Sequence, residues 1–170
     1  MGRSLAIVLA ATALLAACTT DPIPEGYTGP RAHIADSMTA RSVHSVDFFY
    51  LSAINGRRIE NNLSATQTAN YGRGFQMTPS AYGRDVPAQP STYTIVGRTH
   101  YAAPILELLN RVYEVSGDVT FTPVPDRSYV VKGVLGDAYS AVWIEEARTG
   151  QSVTKKIEVK GSAALGILEK

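Results

Sequence analysis

An all-β domain, an antiparallel two-sheet β-sandwich, is the fold class this sequence predicts, and three observations predict it. Apolar residues between Arg31 and Lys160 recur mainly at every second position, which lays them on one face of an extended strand. Turn signals built on Gly, Pro, Asn and Asp separate these runs at the spacing of short strands joined by hairpins. Trp143 sits in an apolar run that suits a core. A partly closed barrel is the competing architecture.

In chain order, a basic start (Gly2-Arg3-Ser4) leads into a largely apolar run from Leu5 to Leu15 and small residues before Cys18, the three-part layout of a secretory signal helix. The run is shorter than the roughly 20 residues that span a bilayer, and Asp21, Pro22 and Pro24 follow at once. Leu15-Ala16-Ala17-Cys18 resembles the lipobox of bacterial lipoproteins, with Leu, two small residues and Cys each in place. That resemblance implies cleavage before Cys18, a diacylglycerol on its sulfur and an acyl chain such as palmitate on the new N-terminus. Thr19, and not Asp, after the cysteine implies an outer-membrane lipoprotein facing the periplasm. Two or three acyl chains hold firmly where one anchors marginally. An ordinary signal peptide with a chance cysteine is the alternative.

Cys18 is the only cysteine, so the body after it has no thiol, no disulfide and no cysteine-based metal site, and must hold together by its core. Without Arg3 the chain carries fifteen basic and fifteen acidic side chains, which argues against nucleic acid as a partner. About 150 residues suit one domain. The expected organisation is a signal peptide over 1–17, the lipidated Cys and a Pro/Gly-rich tether over 18–30, the sandwich over 31–160 and a loosely held tail over 161–170.

Within the body, Val46 to Ile54 is apolar on both faces and predicts a covered central strand. Ile54-Asn55-Gly56-Arg57 predicts a hairpin, because a type I′ turn needs positive φ at both central residues. Asn62 to Tyr71 is a candidate short helix with Ser64 as its cap, ending in a tight bend at Gly72-Arg73-Gly74. Thr92 to Tyr101 alternates, with Tyr93, Ile95 and Tyr101 on the core face. Pro104 suits a first helical position, and Ile105, Leu108 and Leu109 then share one side of a helical turn or two. Tyr113 to Thr122 is the clearest strand, odd positions inward and even ones wet. Val124-Pro125-Asp126-Arg127 suits a type I turn. Ser140 to Glu146 predicts another covered strand, and Arg148-Thr149-Gly150 turns it into Val153 to Val159, an edge strand with Lys155 pointing inward as a guard against aggregation.

Chemistry-bearing patterns are sparse. His33 and His44 each have an aspartate three residues on, Asp36 and Asp47, but that separation on a strand puts the side chains on opposite faces, so no metal site is expected. No Gly-x-Ser-x-Gly elbow occurs, and adjacent Glu145 and Glu146 cannot face each other across a cleft as a catalytic pair. No catalytic residue and no cofactor are expected. Tyr71, Arg73, Tyr82 and Arg84 are the candidate binding surface, because aromatic and arginine side chains give large contact area for little entropy cost.

Gly117 to Pro123, Tyr129-Val130-Val131, Val142 to Glu145 and Thr149-Gly150 together resemble uncharacterised proteobacterial lipoproteins of immunoglobulin-like or transthyretin-like shape. The resemblance implies fold and location, and those families bring no active site to transfer. The expected role is a non-enzymatic structural or interaction module of the envelope, with an envelope protein or glycan as partner. The alternatives are a glycan- or small-ligand-binding module using the Tyr/Arg surface, and an unrecognised hydrolase.

Overall fold

The structure is a computed structural model that describes residues 20–170. Leu15, Ala16, Ala17 and Cys18 lie outside the described residues. Among the described residues, ten strands and two helices follow one another as β1 (Arg31–Ala35), β2 (Ser37–Ser42), β3 (Ser45–Ile54), β4 (Arg57–Arg58), α1 (Asn62–Asn70), β5 (Gly83–Pro87), β6 (Ser91–Tyr101), α2 (Pro104–Leu109), β7 (Glu114–Phe121), β8 (Ser128–Val134), β9 (Tyr139–Glu146) and β10 (Ile157–Lys160). They form an all-β sandwich of two sheets, one ordered β10-β9-β8-β1-β5 and the other β2-β3-β6-β7 with β4 added on β3. Every pairing is antiparallel except one: β1 runs parallel to β8.

The core between the sheets comes from the alternation. On β7, Val115 and Val119 are buried while Ser116, Asp118 and Thr120 are exposed. Ile34, Leu51, Ile95, Val131 and Ile144 meet them from the other strands, all fully buried. Phe121 rests between the rings of Tyr93 and Tyr129, at centroid distances of 4.9 and 5.4 Å. Phe49 packs where side chains are missing: a Cβ on Gly133 would overlap its ring and the Ala141 carbonyl oxygen.

The other face of the β3 sheet is covered too, as the double-sided apolar run of β3 requires. Val46, Phe48, Tyr50 and Val96 pack there with Leu63 of α1 and with Met77. The helix is capped by Asn61, whose side chain accepts from Ser64 N while Ser64 Oγ accepts from Asn61 N. Ser64 is therefore the third-position partner of the capping box, and not the cap itself.

Local turn chemistry acts as expected at Asn55 and Gly56, whose φ of 50° and 75° make the type I′ hairpin joining β3 to β4. At Val124–Arg127, Asp126 has φ 60°, so the turn takes the type II form and not type I; aspartate tolerates the left-handed region that this form demands.

Three burial expectations are corrected. Trp143 is only half-buried on the outer face of β9, where its Nε1 donates to Glu145 Oε2 and Lys156 Nζ stands 4.3 Å above its ring. Buried Val142 and Ile144 hold the inward phase instead. Lys155 is exposed, because the chain leaves regular pairing between Ser152 and Ile157 and so changes phase; β10 is nevertheless an edge strand. The last ten residues are laced to the body: Ala163 O accepts from Glu114 N, Leu165 N donates to Val112 O and Ala163 is buried. Residues 21–30 carry no strand or helix, but Pro22, Ile23, Pro24 and Tyr27 lie half-buried.

Gly133→Ala should lower stability by about 1–3 kcal/mol, the range for overpacking a filled core. Urea unfolding of the variant beside the wild type checks this, and an unchanged midpoint would contradict the close approach of Phe49.

Candidate functional site

The two ends of the sandwich differ. At one end the β3–β4 hairpin closes, and there both the backbone N and the Oγ1 of Thr20 donate to Arg58 O, at 2.9 and 3.0 Å. Arg58 pairs with Ala53, which pairs with Thr94 of β6. Seven residues further along β6, about 23 Å at strand rise, Tyr101 marks the opposite end, where Ala102 N donates to His44 O.

That opposite end holds a cleft of about 390 Å³, within the range of small-molecule sites. Its walls are α1 at Thr66, Gln67 and Asn70, the loop from Tyr71 to Met77, the turn at Ala102 and Ala103, and the start of α2. The loop is pinned at three points. Asn70 Nδ2 donates to Thr78 O while Thr78 N donates to Asn70 Oδ1, both at 2.8 Å. Ser80 N donates to Thr66 Oγ1, and His44 Nδ1 donates to Phe75 O at 2.9 Å. Gly72 and Gly74 make the expected tight bend, with φ of 78° and 67°.

The polar end of the cleft is an ionic group that sequence inspection missed. His100 Nδ1 lies 3.4 Å from Glu107 Oε1, and Arg98 Nη2 lies 3.6 Å from the same oxygen. Arg98 also donates through Nη1 to Glu114 Oε2. The hydrogen bond from His100 is the main reason that the Glu107 carboxyl is held below its ordinary value, with the charges of His100 and Arg98 adding to it against partial burial. On the α1 wall, Thr66 Oγ1 accepts from Ser80 N at 2.9 Å.

Several apolar side chains are exposed around the cleft. Every residue of α2 is at least partly exposed, with Leu109 at 75% and Ile105 and Leu108 near half. Lys170 Nζ donates to Leu108 O and Asn110 O, and Ile167 and Leu168 of the same terminal segment are exposed. Val43 and Phe75 are exposed at the same end, on either side of the His44–Phe75 bond.

The four residues predicted as one surface are divided. Tyr71 is 95% exposed on the cleft rim, and Arg73 is exposed in the same loop. Tyr82 is half-buried with the Arg84 guanidinium 4.9 Å above its ring. Arg84 is 6% exposed and grips Asp36 with both terminal nitrogens, at 2.9 and 2.5 Å. The correction has a local cause: residues 83–87 form a strand, not a loop, and Arg84 stands opposite Ile34 in the same inward phase as Val86. The alternation of Arg84 and Val86 was the available signal.

The histidine–aspartate pairs are indeed parted. His33 Nδ1 meets Asp85 across the strands at 3.0 Å, while Asp36 turns inward to Arg84. His44 faces the pinned loop, and Asp47 accepts from Thr99 Oγ1 and Arg41 Nε inside the fold. Among the described residues no three His, Cys, Asp or Glu side chains are grouped to hold a metal, and no helix is long and apolar enough to cross a membrane. Glu145 and Glu146 serve Trp143 and the 148–150 turn, Glu146 accepting from Arg127 and Thr149. Comparison of the chain with known protein families, curated proteins and solved structures found no match.

Asp36→Ala should cost about 3–5 kcal/mol, because it leaves the Arg84 charge buried without a partner; a loss below 1 kcal/mol in chemical unfolding would contradict the pairing. With its folded value depressed, Glu107 contributes stability above the ordinary carboxylate value, and that contribution is lost as pH falls through the folded one. Carboxyl NMR titration should show Glu107 titrating below the ordinary glutamate value, and an ordinary midpoint would contradict it.

Proposed function

We propose that this chain is a lipid-anchored, periplasm-facing module of the bacterial envelope, non-enzymatic, which meets its partner with the end of the sandwich that carries the cleft. The observation that carries this reading is the opposition of the two ends. Thr20, bonded to Arg58 O, stands two residues after Cys18, at most about 7 Å of chain. Acyl chains on Cys18 therefore hold the hairpin end of the body against the leaflet. The cleft and the apolar ledge of α2 then face away from the membrane, where an exposed apolar patch of this kind marks a contact surface. The absence of formal net charge after Arg3 fits a body held by lipid and not by electrostatic attraction. A small-ligand role is the second reading, favoured by the concavity itself.

Metabolic labelling with tritiated fatty acid should mark the wild type and spare Cys18→Ser; equal labelling would overturn the anchor. A photo-crosslinking amino acid placed at Leu109 in intact cells should give discrete protein adducts that the same group at Asn55 does not. Adducts from Asn55 alone would overturn the orientation.

A further inference from the structure

We infer that the cleft receives the ammonium group of a lysine side chain presented by the partner, with Glu107 as its counter-ion. The inference rests on the interaction-module reading and names the chemistry of that same end.

The charge balance points to a cation. Both contacts of Glu107 fall on Oε1, at 3.4 and 3.6 Å, and among the described residues none donates a hydrogen bond to Oε2. Arg98 is shared between two carboxylates, Glu107 and Glu114, so the group carries one net negative charge when His100 is neutral. Of this ionic group, His100 and Glu107 line the cleft itself, and Arg98 is not among the lining residues. A carboxylate with one open oxygen on a partly desolvated wall attracts a donor of opposite sign.

The walls specify what carries the charge. Met77, Ala102, Ala103 and Pro104 are apolar and line the approach to Glu107, which suits a stem of four methylenes that buries its length while its head finds an acceptor. Tyr71, exposed on the rim, adds an aromatic side chain of the kind that attracts a cation. Arginine fits less well, since its planar fork seeks two acceptor oxygens and Oε1 is already engaged. The ledge of Ile105, Leu108 and Leu109 outside the cleft is more apolar surface than a free amine would cover, so the stem belongs to a polypeptide with apolar neighbours.

The test uses the full chain in mild detergent, titrated with the capped tripeptide Leu-Lys-Leu, its norleucine counterpart Leu-Nle-Leu and n-pentylamine, followed by NMR of the His100 ring. The lysine peptide should bind about tenfold more tightly than the norleucine peptide, the effect of one partly desolvated charge pair. Glu107→Gln, similar in size, should remove that preference. Equal binding of the two peptides, or a preference that survives Glu107→Gln, overturns the inference. Pentylamine binding as tightly as the lysine peptide also overturns it, in favour of a free amine. The peptide comparison on the wild-type chain needs no variant to fold. Adducts at Leu109 without a lysine preference would leave the module reading intact and remove only this inference.

Discussion

Asp36 occupies the single residue between β1 and β2, where the chain leaves one sheet and enters the other. Its carboxylate accepts two bonds from Arg84 on β5, one from Leu51 N on β3 and one from Asn62 N at the start of α1. Burial pushes this carboxyl above its ordinary value, while Arg84 and the two amides pull it back. A buried ion pair of this kind adds little net stability over an apolar substitute, yet it has one satisfied geometry. Both sheets and the helix converge on it, so it sets how they sit on one another.

The cleft depends on that placement through α1. Once Asn62 is held by Asp36, and its Nδ2 by Ser37 O, the helix lies across the outer face of β3 and β6 with Leu63 and Thr66 inward. Asn70 and Thr66 then hold the following loop by its backbone, which keeps one wall of the cleft standing off the β6 terminus. The opposite wall has its own support, since Glu107 reaches back from α2 to His100 and Arg98. Neither wall requires the other, so the space between them remains open.

Features governed by a few consecutive residues were legible in the sequence: the alternation of β7, the Asn55-Gly56 turn, Pro104 at a helix start and the two-sided apolar run of β3. Features governed by distant partners were not. β2 is polar and largely exposed and becomes a strand only because β3 offers it an edge. Arg84 looks like a surface residue until Asp36, forty-eight positions earlier, is known to face it. The His100–Glu107 group needs a chain reversal at Ala102 that no short motif specifies. Trp143 was misplaced because Val142 and Ile144 flank it, and a run of three apolar residues on a strand does not reveal its own phase.

The lone parallel pairing, β1 beside β8, joins residues near 33 to residues near 128. Its cost falls on the order of events during folding. β5 can cover one side of β1 early, but the other side waits for a strand that arrives after the whole second sheet has been laid down. Non-local pairing of this kind slows folding, because a long loop must close before any contact rewards it. Until β8 arrives, β1 presents an open edge with Ala32 and Ile34 beside it, the type of surface that recruits strands from other chains. The sandwich is therefore most exposed to misassembly while it folds, at a strand that afterwards lies inside its sheet, between β8 and β5.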